Sequence, residues 1–134
     1  GAGLWRHENV VLAHRRLAVR DVSDAGAQPM VSKSGDIALV YNGELYNDRE
    51  IRSAILRADA QPFQSTCDAE TVLRAIELWG AAALRKFRGM FALGFYDGRN
   101  RSLLLARDPL GIKPLYLAEQ AGRRGEEGIT GEAP

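Results

Sequence analysis

Asn42-Gly43-Glu44 follows directly on an apolar run, "DIALVY" at 36–41, and precedes "LYNDRE". An Asn side-chain amide and a Gly backbone N–H set side by side can both donate to one oxygen. That is what an oxyanion hole needs, and one such donor contributes about 3–4 kcal/mol in a transition state. Glycine leaves the approach free of a Cβ, and the adjoining Glu44 carboxylate suits an ammonium group. Two local structures compete for the same dipeptide. Asn-Gly is the strongest short signal for a type I′ hairpin. A hairpin, however, needs a returning strand, and only Glu44, Leu45 and Tyr46 stand before the helix-capping Asn47. The favoured expectation is strand, sharp connection, helix, with polar groups clustered at the strand's end.

The elements that must position these groups follow from periodicity. Residues 36–43 predict a strand buried on both faces. Asn47 with Glu50 three residues later resembles a capping box, and Ile51, Ala54, Ile55 and Ala58 recur at helical spacing, predicting a helix over 48–58. Thr66 or Asp68 caps a second helix whose stripe is Val72, Leu73, Ile76 and Trp79, with Gly80 as its stop; "AAALRKF" adds a turn or two. "MFALGFYD" (90–97) alternates as a strand, "GRN" turns the chain, and 101–107 returns beside it. Earlier, 10–19 predicts one or two short strands broken near Arg15-Arg16, and 21–30 a loop. "DPLGIKPLYLA" (108–118) predicts a turn and a short strand. From 119 onward glycine and charge dominate, which predicts a mobile tail.

Composition narrows the classes. One domain is expected of 134 residues, and a 46% hydrophobic fraction is enough for a core. Eighteen Lys and Arg stand against seventeen Asp and Glu, a net charge of +1 that offers no basis for a nucleic-acid or membrane partner. No apolar run approaches the roughly 20 residues of a membrane span, and "GAGLWRHENV" has no signal-peptide features. One cysteine, Cys67, excludes an internal disulfide and suits a reducing compartment. Two histidines, His7 and His14, assemble no metal site.

Taken in order, "HRRLAVRDVSDAGAQPM", "VYNGELYN", "STCDAE", "RGMFALGFYD" and "ARDPLGIKPLYLA" resemble the glutaminase domain of class II, N-terminal-nucleophile glutamine amidotransferases. In pattern they are most similar to the B-type, glutamine-hydrolysing asparagine synthetases. The resemblance spans about residues 1–118. It implies an α+β fold of four layers, two antiparallel β-sheets packed face to face and flanked by helices, incomplete in this chain. It implies hydrolysis of glutamine to glutamate and ammonia, through a thioester on an N-terminal cysteine whose own α-amino group is the base. The ammonia would amidate aspartate in a C-terminal ATP-dependent synthetase domain.

Residue by residue, Asn42 and Gly43 match the oxyanion donors. Arg16 matches the arginine that grips the glutamine α-carboxylate, a fit of planar guanidinium to carboxylate. Glu44 and Asp68 match the acids around the α-ammonium. Without the resemblance, Arg16 is a surface cation, Asp68 a helix N-cap able to serve both roles, and Glu44 carries no claim. Cys67 is not the implied nucleophile, because it falls where the motif carries a small polar residue. The domain itself needs no cofactor or metal; ATP and magnesium belong to the synthetase domain. The partners implied are L-glutamine, that domain, and a second copy of the parent as a homodimer, in the cytoplasm.

The sequence begins with Gly1 where the family has text that follows its catalytic cysteine, so the nucleophile and first core strand are expected upstream, and the isolated 134 residues are expected to be inactive. The alternatives are a non-catalytic scaffold or interface module of the same fold, in which these polar residues are remnants, and a glutaminase domain serving a different acceptor.

Overall fold

The computed structural model describes residues 2–15 and 24–121. Two strands, β1 (Ala2–His7) and β2 (Val10–Arg15), form an antiparallel hairpin with Leu4 opposite Ala13 and His7 opposite Val10. Glu8 in its two-residue turn has φ 51°, the left-handed conformation such turns demand. The strand over 10–15 was expected. Its partner β1 was not, because "AGLWRH" shows little apolar alternation.

Four further strands make a second antiparallel sheet in the order β3 (Met30–Val31), β4 (Ile37–Leu45), β5 (Gly89–Asp97), β6 (Ser102–Arg107). Strand alternation sends successive side chains to opposite faces. From β4 the odd residues Ile37, Leu39, Tyr41 and Leu45 join Phe91, Leu93 and Phe95 of β5 in the main core. Two helices, α1 (Asp48–Ala58) and α2 (Asp68–Trp79), cover that face with Ile51, Ile55, Val72, Leu73 and Ile76. The even residues face the other way. Ala38 and Tyr96 meet Leu12 of the hairpin, with Trp5, Val40 and Leu103 around them. The layers are therefore helices, four-stranded sheet, two-stranded sheet: an α+β arrangement with two antiparallel sheets. Among the described residues no helix covers the outer side of the hairpin.

The 48–58 helix, the 101–107 return strand and the Gly80 stop agree with their spacing. Gly80 has φ 62° and donates its N–H to Ile76, and a 3₁₀ segment, Gly80–Lys86, follows. Three expectations need correction. Asn47 stands at the N-cap of α1 but makes no capping hydrogen bond. Its side chain instead donates to the Lys86 carbonyl (2.8 Å) and accepts from the Arg88 N–H (2.9 Å), tying the start of α1 to the entry of β5. At α2, Cys67 holds the N-cap position and Asp68 the first helical one, again with no side-chain cap. Finally, 108–118 contains the turn but no strand. Of the tail expected from 119, residues 122–134 lie outside the described residues.

Candidate functional site: the open edge of strand β4

Asn42-Gly43 is neither a hairpin turn nor the end of a strand. β4 continues to Leu45, because β5 supplies a partner throughout: Asn42 lies opposite Ala92, Gly43 opposite Phe91, Leu45 opposite Gly89. The two backbones run unusually close here. A Cβ on Gly43 would fall 2.1 Å from the Met90 carbonyl oxygen, and one on Gly89 would fall 2.1 Å from the Glu44 carbonyl oxygen. Glycine is required at 43 by strand packing, whatever else the position does.

Antiparallel pairing alternates hydrogen-bonded and non-hydrogen-bonded positions. Phe91 turns both its backbone groups toward Asp108, accepting from the Asp108 N–H at 2.8 Å and donating to its carboxylate at 3.2 Å. Gly43, opposite Phe91, is thus a non-hydrogen-bonded position, and its N–H and C=O point to the far edge of β4. So do those of every odd residue. Ile37 and Leu39 meet the segment containing β3, with the Ser32 N–H donating to Ile37 (2.9 Å) and Met30 paired with Leu39. Tyr41 is met by a side chain: Gln28 accepts the Tyr41 N–H at 2.6 Å and donates to its carbonyl at 3.0 Å. Leu45 donates to the Asp68 carboxylate at 2.8 Å. Between Gln28 and Asp68, Gly43 has no hydrogen-bond partner among the described residues.

Asn42 is exposed and Glu44 is exposed. As even residues, both stand on the face of β4 turned away from the helices. Asp68 lies on the edge itself, 5% exposed. Besides Leu45 it accepts the Tyr41 hydroxyl at 3.1 Å. Burial, with the Asp68 charge beside it, pushes the Tyr41 hydroxyl far above its ordinary range, so the phenol stays the donor in that bond. The structure thus brings Asn42, Gly43, Glu44 and Asp68 to one end of β4. Arg16 lies outside the described residues.

Arg52 of α1 holds the start of α2 in place. Its guanidinium donates to the carbonyls of Ser65 (2.9 Å) and Cys67 (2.8 Å), pairs with Asp48 (3.2 Å) and lies 4.1 Å over the Phe63 ring. Asp48 in turn accepts from the Thr71 hydroxyl. Gln28, Tyr41, Arg52 and Asp108 did not stand out in the sequence. Each acts over 13 or more residues of separation, and no local pattern marks such a contact.

Residues 1–126 match the glutamine amidotransferase domain family. The chain belongs to that family. Among proteins of known name, this amidotransferase domain is 38% identical over 116 residues to asparagine synthetase B, glutamine-hydrolysing, of Escherichia coli, covering 87% of the chain and 20% of that protein. It is 35% identical over 121 residues to the glutamine-hydrolysing asparagine synthetase 3 of Bacillus subtilis, covering 89% and 19%. The maize asparagine synthetase is 34% identical over 116 residues, with 87% and 19% covered. The chain spans about a fifth of the length of these curated relatives. Glutamine phosphoribosylpyrophosphate amidotransferase of B. subtilis superposes with a TM-score of 0.67 at 23% identity, over 84% of this chain and 26% of that one, which shows a shared fold.

Within the amidotransferase domain no group of three or more metal-ligating side chains occurs among the described residues. No described helix is long and apolar enough to cross a membrane. Cys67 is half-buried at the start of α2, with its N–H donated to the Ser65 hydroxyl at 3.2 Å.

Proposed function

We propose that this domain hydrolyses the side-chain amide of glutamine to glutamate and ammonia, and that the reacting amide lies against β4 at Asn42 and Gly43. The observation that carries the proposal is the unfilled place on the β4 edge, where, among the described residues, the Gly43 N–H has no partner and adjoins the exposed Asn42. Two such donors would accept the negative charge that forms on the amide oxygen during attack. Glu44 and Asp68 would face the α-ammonium, and Arg16 the α-carboxylate. The Asp68 oxygen already engaged by Leu45 and Tyr41 would act through its charge rather than by a new hydrogen bond.

The chemistry calls for a thiolate whose own α-amino group accepts and returns the proton. The thiolate attacks the amide carbon, and as the C–N bond breaks the returned proton lets ammonia leave and a thioester remains. Water then hydrolyses the thioester, releasing glutamate and restoring the thiol. The only cysteine in these residues, Cys67, is internal, so the proposal places the nucleophile in a segment outside them. The names of the relatives, glutamine-hydrolysing asparagine synthetases, support a synthetase domain as the consumer of ammonia and aspartate as its acceptor. The proposal adds ATP and magnesium in that domain, a homodimeric parent and a cytoplasmic setting. The domain, taken as 1–118, would need no cofactor of its own.

Calorimetry of the chain with L-glutamine tests the reading. Saturable binding of L-glutamine, absent with D-glutamine and weakened by Asn42→Ala, is the expected result. No binding by a folded chain overturns it. Binding without glutamate release by the full-length protein would instead mark a non-catalytic module.

A further inference from the structure

We infer that Gln28 is a positioning residue: its side-chain amide replaces the last rung of the β3–β4 ladder and thereby leaves the Gly43 N–H uncovered by any described residue. The inference rests on the proposed glutamine function and deepens it.

In the β3–β4 register Met30 lies opposite Leu39 and Val31 opposite Ala38. Extended by two residues, that register puts position 28 opposite Tyr41 and position 26 opposite Gly43. A longer β3 would therefore cover the Gly43 N–H with backbone. The ladder stops instead. β3 begins only at Met30, and Asp24–Gly26 is a 3₁₀ segment, not strand. Ending the ladder at Met30 alone would also leave Tyr41 unpaired, and a strand edge lacking two successive rungs is free to shift. Gln28 prevents this. An amide side chain carries both a donor and an acceptor, and it satisfies both Tyr41 backbone groups at 3.0 and 2.6 Å.

Gln28 is itself fixed. It is 8% exposed, and β1 runs so close that a Cβ on Gly3 would meet its carbonyl oxygen at 2.1 Å. With Asp68 holding Leu45 on the other side, the gap in the edge is one residue wide among the described residues. A donor held rigid before the reaction costs no reorganisation during it.

The test uses the chain with Gln28→Ala and Gln28→Glu, read by amide hydrogen exchange and by glutamine calorimetry. In the unsubstituted chain Tyr41 and Leu45 should exchange slowly and Gly43 fast. Gln28→Ala should speed Tyr41 exchange about tenfold or more, leave Leu93 in the core unchanged, and weaken glutamine binding by about tenfold. Gln28→Glu accepts the Tyr41 N–H but donates to its carbonyl only when protonated, so binding relative to the unsubstituted chain should recover as the pH falls toward about 4. A merely structural residue would speed exchange at Leu93 as well and show no such recovery. Unchanged Tyr41 exchange, or native glutamine affinity in Gln28→Ala, overturns the inference alone. Absence of glutamine binding by the unsubstituted chain overturns the glutamine function and the positioning role with it.

Discussion

The carboxylate of Asp68, first residue of α2, accepts the Leu45 N–H of β4 at 2.8 Å. A helix start thus terminates a stretch of strand edge that no strand covers among the described residues. Because the same oxygen holds the Tyr41 hydroxyl, Asp68→Ala leaves two buried donors without acceptors. The expected loss is about 2–4 kcal/mol, from about 1–3 kcal/mol per orphaned group. Asp68→Asn keeps an accepting oxygen and should lose less than half of that. Urea midpoints of the two variants check the order; equal losses would contradict it.

Gly43→Ala should fail through packing. The new methyl meets the Met90 carbonyl oxygen and the Phe91 backbone, so β4 and β5 must separate. Overpacking of this kind costs about 1–3 kcal/mol. The midpoint should fall, and exchange should quicken on both strands around 43 and 91.

Arg52→Ala should destabilise by about 2–3 kcal/mol, since it removes two charge-assisted bonds to the carbonyls before α2 and the stacking on Phe63. Arg52→Lys should recover less than half, because a single ammonium cannot span both carbonyls and stack. Full recovery by lysine would show that charge alone matters there.

Asp108 contributes to the acid limb of stability. Burial of its carboxyl opposes ionisation, but the N–H groups of Lys113, Ile112 and Phe91 outweigh burial and hold the carboxyl below its ordinary range. A depressed carboxylate stabilises the fold above its unfolded value, about 4, and that contribution fades as the pH falls through the folded value. Asp108→Asn should therefore be less stable than the unsubstituted chain at pH 7, with the difference shrinking below about pH 4. A pH-independent difference in urea midpoints would contradict this.

Much of the frame was legible because its causes are local. Ile51 and Ile55 fall on one helical face, Gly80 can turn where other residues strain, and Phe91, Leu93 and Phe95 alternate with Ala92, Gly94 and Tyr96. What was misplaced depends on partners far along the chain. Asn47 looked like a cap, yet its amide reaches the segment at 86–88. Asn42-Gly43 drew attention for its chemistry, but only β5, some fifty residues later, shows that the pair lies within a strand. Gln28 and Asp68 gave no sign of holding an edge, since nothing in a sequence marks which strand lacks a neighbour. The family resemblance named the site residues before any geometry could, and Arg16 remains the one that lies outside the described residues.

The central claim is that glutamine's side-chain amide sits at Asn42 and Gly43. Titration of the ¹⁵N-labelled chain with L-glutamine, followed at the Gly43 backbone amide and the Asn42 side-chain NH2, tests it most directly. The account predicts that these two signals move together and saturate, with Leu93 in the core unmoved. Saturable binding that leaves both signals in place would contradict it.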